Sequence, residues 1–212
     1  MGKRVYGQYC GFARALELVG ERWALMVLRD LFVAPKRFSE LKRGLPGIPS
    51  NVLSRRLKEM EAAGIVQRRI LPRPHGVVYE LTKTGAALEP AVVELGRWGA
   101  KALGQPRNGE VITVDALVMA LRSTFQPKAA KGVTVLYELR VGPNVLHASI
   151  VRGRLTVEPG TRADADLTME IGPALRDLLA GELLPHEAVR KGLAKIRGNR
   201  AHLDRFVELF KI

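Results

Sequence analysis

Residues 38–81, FSELKRGLPGIPSNVLSRRLKEMEAAGIVQRRILPRPHGVVYEL, constrain this chain more than any other stretch. Within 50–63, Leu53, Leu57 and Met60 recur at four- and three-residue spacing and lay one apolar stripe along a helix. Ser50, Asn51, Ser54, Arg55 and Lys58 fall on the opposite face. Ser50 follows Pro49 and is expected to cap the helix, and Gly64 stands where a helix ends in a left-handed residue. A short helix and a turn precede it. Behind it, Val66, Arg68 and Ile70 alternate with Gln67, Arg69 and Leu71, and 77–81 returns. This predicts two strands around the tip Pro-Arg-Pro-His-Gly (72–76).

Helix, turn, basic amphipathic helix and hairpin, in that order, spell a winged helix-turn-helix, an element whose partner is duplex DNA. The exposed face of the second helix offers hydroxyl, amide and guanidinium groups in its first two turns, where a recognition helix reaches base edges. Arg55 suits the paired acceptors of a guanine, and Asn51 suits an adenine. Ser54, Arg56 and Lys58 are assigned to phosphates. Arg73 and His75 on the tip are candidates for the minor groove or the adjacent backbone. Lys36, Arg37, Ser39 and Ser50 complete the candidate DNA-binding set. From residue 36 to 73 there are ten Lys or Arg against Glu40, Glu59 and Glu61.

The whole-chain charge agrees: the formal net is +13 and the pI is near 10.4, suited to a polyanion. Residues 1–104 carry 18 basic and 9 acidic groups, residues 105–212 carry 16 and 12. The excess therefore gathers where the DNA-binding element lies. A dimer neutralising about eight phosphates would show log affinity falling against log salt with a slope of about −7.

A cluster of breakers at 104–109, GQPRNG, divides the chain into two expected domains, 1–104 and 110–212. Beyond it an amphipathic helix is expected at 115–125. Strands follow at 133–141, 145–151, 155–157 and 165–171, then helices at 173–179 and 186–191. A strand at 194–197 and a helix at 200–210 complete the pattern. The fold class is α+β, with the winged helix-turn-helix ahead of an α+β domain.

Residues 10–103 resemble the HxlR-type branch of the MarR-like bacterial transcription regulators. The resemblance rests on ARALELVGERWALMVLRDLF (13–32), RFSELKRGLPGI (37–48), VLSRRLKEMEAAGIV (52–66) and YELTKTGAALEP (79–90). It implies a cytoplasmic homodimer on a pseudo-palindromic double-stranded DNA operator, with flanking helices near 9–19 and 84–103 forming the dimer interface. Two departures bear on the operator sequence and not on DNA binding. Ile-Pro-Ser-Asn opens the recognition helix where the family usually has Ser before Pro, and the wing tip lacks the family's acidic-proline run.

Residues 165–210, ADLTMEIGPALRDLLAGELLPHEAVRKGLAKIRGNRAHLDRFVELF, are similar to the sterol carrier protein type two fold. That similarity implies an apolar tunnel for a hydrophobic small-molecule effector. The lining candidates are Leu117, Leu121, Phe125, Tyr137, Leu139, Ile150, Leu178, Leu179, Phe206 and Phe210. The same spacing also describes an ordinary core.

Cys10 is the only cysteine, which excludes an intrachain disulfide and fits a reducing cytoplasm. The HxlR resemblance makes it a candidate redox site, with Arg4 and Arg14 near enough in sequence to lower its pKa. Enzyme readings find no support. His75, His147, His186 and His202 are scattered, Glu182, His186 and Glu187 read as surface charge, and nucleophile elbows and phosphate loops are missing. No metal or other cofactor is expected. No apolar window reaches a membrane-spanning length of about 18 residues, and Arg14, Glu17, Glu21 and Arg22 interrupt any signal-like run. The resulting expectation is a dimeric repressor modulated by a hydrophobic ligand. The alternatives are a thiol switch through Cys10, or a lipid-carrier module whose winged helix makes protein contacts.

Overall fold

The structure, a computed structural model, describes residues 5–212, and the chain divides into two compact units, Met1–Val92 and Val93–Ile212. The first unit runs α1 (Gly11–Val19), α2 (Ala24–Val33), α3 (Phe38–Gly44), α4 (Ser50–Ala62), β1 (Val66–Leu71), β2 (Gly76–Leu81) and α5 (Lys83–Ala86). It ends within α6 (Glu89–Ala100), so the division lies inside a helix ahead of the breaker cluster.

The core of this unit follows from the sequence pattern. Val27, Leu28 and Leu31 of α2 and Leu41 of α3 are buried, as are Leu53, Leu57 and Met60 of α4. Leu45 and Ile48 in the α3–α4 turn seal the corner between the two helices. Each such side chain contributes about 1.5–3 kcal/mol by leaving water. α4 stops as predicted: Gly64 has φ +70 and the Ile65 N–H donates to the Met60 carbonyl at 2.9 Å. Its start differs from expectation. Pro49 is the cap residue, in extended backbone, and Ser50 is the first helical residue. The proline ring has already fixed φ there, so Ser50 is left with an exposed hydroxyl.

β1 and β2 pair antiparallel over six residues each, from Val66↔Leu81 to Leu71↔Gly76. Because Gly76 joins the ladder, the tip has four residues, 72–75, where five were expected. The period-two pattern of β1 does not mark a buried face. Only Val66 is buried, and Ile70, paired across to Val77, is 78% exposed. The hairpin therefore projects into solvent as a ribbon. Its base is tied down by Thr82, whose hydroxyl donates to the Gly64 carbonyl at 2.6 Å and accepts from the Gly85 N–H at 3.1 Å.

The second unit holds the remainder of α6 and then α7 (Val114–Thr124), β3 (Val135–Val141), β4 (Asn144–Val151), β5 (Arg154–Pro159) and β6 (Leu167–Ile171). α8 (Ala174–Leu179), α9 (Pro185–Arg190), β7 (Ala194–Gly198) and α10 (Ala201–Leu209) follow. The sheet order is β5-β4-β3-β6-β7, antiparallel except for the central β3–β6 pair. With the helices, this makes the chain α+β. The C-terminus is stitched back onto the unit: the Lys211 N–H donates to Thr124 and the Ile212 N–H to Leu179.

Candidate nucleic-acid interface

α4 is two-sided. Leu53, Leu57 and Met60 are at most 1% exposed, whereas Ser50, Asn51, Arg55 and Lys58 face solvent and Ser54 is half-buried. Neither Arg55 nor Lys58 makes an ion pair among the described residues. The Asn51 side-chain oxygen accepts from the Val52 N–H at 2.9 Å, which holds that amide against the first turn. Arg55 also borders a surface hollow of about 370 Å³ shared with Arg22, Trp23, Gly47, Pro49 and Val52. Trp23 caps α2 with φ +80, a left-handed conformation costly for a bulky residue, and the Arg22 guanidinium lies 5.6 Å from its ring centre. Sequence reasoning missed Arg22 and Trp23 here, because a left-handed tryptophan has no sequence signature.

Arg56 corrects the expectation that it joins the phosphate-facing set. Its side chain is 9% exposed and is held between Glu59, one turn on in α4, and Glu21 at 3.3 Å. It sits on the buried edge of the helix because position 56 lies beside the Leu53–Leu57 stripe. Its charge anchors the helix. Two wing arginines are also neutralised locally: Arg68 pairs with Glu61 at 2.8 Å, and Arg69 with Glu80 at 2.7 Å. Arg69 foremost, then Gln67, hold the Glu80 carboxyl below the usual carboxylate range. The raw excess of cations over 36–73 is thus larger than the excess offered to a partner.

Arg73 and His75 lie exposed on the wing tip, and Ser39 lies exposed at the start of α3. Arg37 does not point away from the protein. Its guanidinium donates to the carbonyls of Pro74 at 3.0 Å and His75 at 3.3 Å. Lys36 pairs with β2 through its backbone: its N–H donates to Tyr79 at 2.9 Å and its carbonyl accepts from Tyr79 at 2.7 Å.

In the second unit, all ten candidate lining residues are buried: Leu117, Leu121, Phe125, Tyr137, Leu139, Ile150, Leu178, Leu179, Phe206 and Phe210. Four of them form a ring cluster. Phe206 and Phe210 centroids are 4.7 Å apart, Tyr137 meets Phe206 edge-on at 5.2 Å, and Phe125 meets Phe210 at 5.7 Å. The Tyr137 hydroxyl, sealed inside and without a hydrogen-bond partner among the described residues, has its pKa raised by burial. Glu138 alternates to the other side. Burial alone would raise it, but the Arg162 N–H at 2.6 Å and the Arg140 guanidinium hold its carboxyl below the usual range.

Cys10 is exposed at the cap position of α1. The N–H groups of Ala13, chiefly, and Phe12 lower its pKa without closing a capping bond to the thiol. Arg14 pairs instead with Glu17 at 2.6 Å, and Arg4 lies outside the described residues. Among the described residues, no group of three or more His, Cys, Asp or Glu side chains is arranged to hold a metal ion, and no helix is long and apolar enough to cross a membrane.

A short helix, a turn, a second helix with one polar face, and a projecting hairpin define a winged helix-turn-helix. The family profile described as HxlR-like helix-turn-helix matches residues 18–107, and the chain belongs to that family. The relatives include two uncharacterized HTH-type transcriptional regulators of Bacillus subtilis. YvaP is 36% identical over 42% of this chain and 84% of its own length, and YkvN is 42% identical over 42% and 77%. The HTH-type transcriptional regulator YodB of the same organism is 40% identical over 40% of this chain and 76% of its own length. Each alignment takes in at most about two-fifths of this chain.

Proposed function

We propose that the chain is a sequence-specific, homodimeric DNA-binding transcription regulator acting as a repressor. In this reading α4 enters the major groove of a pseudo-palindromic operator and the wing tip reaches the adjacent minor groove or backbone. The two-sidedness of α4 carries the reading. Ser50, Asn51, Arg55 and Lys58 face outward from a helix whose other side is fixed in the core. The family membership and the relatives' names support the same assignment.

A dimer places two recognition helices about 34–36 Å apart, one helical turn of DNA. Tyr9 and Phe12 around α1 and Leu95 and Trp98 on α6 are exposed, large and apolar, as subunit contacts require. The second unit, read as sterol-carrier-like from its sequence, is assigned the effector, a hydrophobic small molecule held by the aromatic cluster and its neighbours. The effector acts by shifting the population between DNA-competent and incompetent spacings, so its affinity must differ between them. The test is selection from randomised duplex DNA with wild type and Arg55→Ala. An inverted repeat enriched by wild type and relaxed at one base pair of each half-site in the variant supports the reading, and a ligand that occupies the second unit without changing operator affinity removes the effector.

A second reading has its own observation, the exposed Cys10 thiol with its lowered pKa. An oxidant or electrophile would then release the operator through a modified thiol or a disulfide between subunits. Cys10→Ser is expected to abolish any such response while leaving operator affinity unchanged.

A further inference from the structure

We infer that Arg37 is a positioning residue that latches the wing tip to the start of α3, so that Arg73 and His75 meet DNA in a preset orientation. The inference rests on the DNA-binding reading for its consequence and on local geometry for the latch itself. The base of the latch is anchored on both of its sides, to α3 and to β2. The Arg37 N–H donates to the Glu40 carboxylate at 2.5 Å, fixing its backbone at the helix start, and its neighbour Lys36 is bonded twice to Tyr79 of β2.

From that fixed base the guanidinium spans to two successive carbonyls, Pro74 and His75. These belong to the tip, beyond the last rung of the ladder at Leu71↔Gly76. A planar fork can hold two neighbouring acceptors at once, whereas a lysine ammonium would hold them as a point charge. Gly76 leaves room for the fork, because a Cβ there would lie 2.5 Å from Arg37 Nη1. The tip backbone therefore takes its direction from α3. Its carbonyls turn inward onto Arg37, while Arg73 and His75 remain exposed.

A guanidinium committed to the wing is not free to clamp a phosphate. Its effect on DNA affinity comes through the residues it orients, by removing disorder that binding would otherwise have to freeze out. Loss of the latch is expected to lower operator affinity about tenfold, and to do so only while Arg73 and His75 are present.

The experiment uses the full-length protein in two arms. Without DNA, backbone ¹⁵N relaxation of Arg73, His75 and Gly76 compares wild type with Arg37→Gln and Arg37→Lys at unchanged melting midpoint. The order parameters are expected to fall from about 0.85 to below about 0.6 in Arg37→Gln, with part restored in Arg37→Lys. An equally ordered tip in Arg37→Gln overturns the latch. With a selected operator, Arg37→Gln is compared in the wild-type and Arg73→Ala/His75→Ala backgrounds. A tenfold loss in the first that shrinks to less than about twofold in the second is the expected coupling. Losses that multiply would mean that Arg37 touches DNA itself and would overturn the positioning role. If the wild-type chain selects no duplex, the DNA reading fails and takes the groove-facing half of this inference with it, while the relaxation arm still decides the latch.

Discussion

The two units of this chain put their polar and apolar groups to opposite uses. In the first, the apolar side chains do ordinary work holding three helices and a hairpin, and the distinctive groups, Asn51, Arg55 and Lys58, stand outside. In the second, the distinctive groups lie inside: three phenylalanines and Tyr137 packed ring against ring, with the Tyr137 phenol sealed among them. A surface that binds a polyanion announces itself by exposed donors at helical spacing. A cluster that binds an apolar ligand uses the residues any core uses, so its role has to be read from behaviour.

That contrast is broken most sharply in the second core. Phe206→Ala removes a fully buried ring that touches both Tyr137 and Phe210, and a loss of about 3–5 kcal/mol in urea unfolding is expected. A loss under about 1 kcal/mol would mean the rings surround space and not each other.

Within α4 the same contrast separates neighbours. Arg55→Ala is expected to cost about 1–3 kcal/mol of operator binding, roughly ten- to a hundredfold in affinity, and to relax selection at one base pair while stability stays unchanged. Arg56→Ala is expected to cost stability instead. Breaking its pairs with Glu21 and Glu59, which are 39% and 50% exposed and so screened, is worth about 1–2 kcal/mol. Binding titrations at fixed folded fraction, alongside unfolding curves, separate the two.

At the foot of the wing, Thr82→Ala loses the cap on α5 and the bond to Gly64, and a decrease of about 1 kcal/mol in stability is expected.

The smallest effect is a pH dependence. Glu138 is held below the usual carboxylate range in the folded state, so it stabilises the second unit above its unfolded pKa. That stability fades as pH falls through the folded value, on the acid side of the ordinary glutamate range. Glu138→Gln is expected to flatten this limb in thermal unfolding followed from pH 7 to pH 3.

Much of the architecture was legible from local pattern. The α4 stripe, its Gly64 stop and the hairpin came from spacing and breakers alone, and the helices and strands of the second unit fell close to their expected places. Three features were not legible, each because it depends on tertiary contact. Helical phase sets Arg56 beside the apolar stripe and Arg55 opposite it, but the pairing of Arg56 with Glu21, 35 residues away, is set only by the packing of α4. Arg37 reads as one more cation in a basic run, and its partners are carbonyls 37 and 38 residues away. The parallel β3–β6 pair at the centre of the sheet joins strands separated by two others in the chain, which no short-range signal specifies.

The central claim is that the outward face of α4 reads duplex DNA as part of a dimer. Its most direct test is selection of bound sequences from randomised duplex DNA at several salt concentrations, using the purified full-length chain. The account predicts an enriched inverted repeat with half-sites about one helical turn apart, and a log–log salt slope of about −7. Binding that falls with salt but enriches no repeat would contradict it, leaving a basic surface without a code.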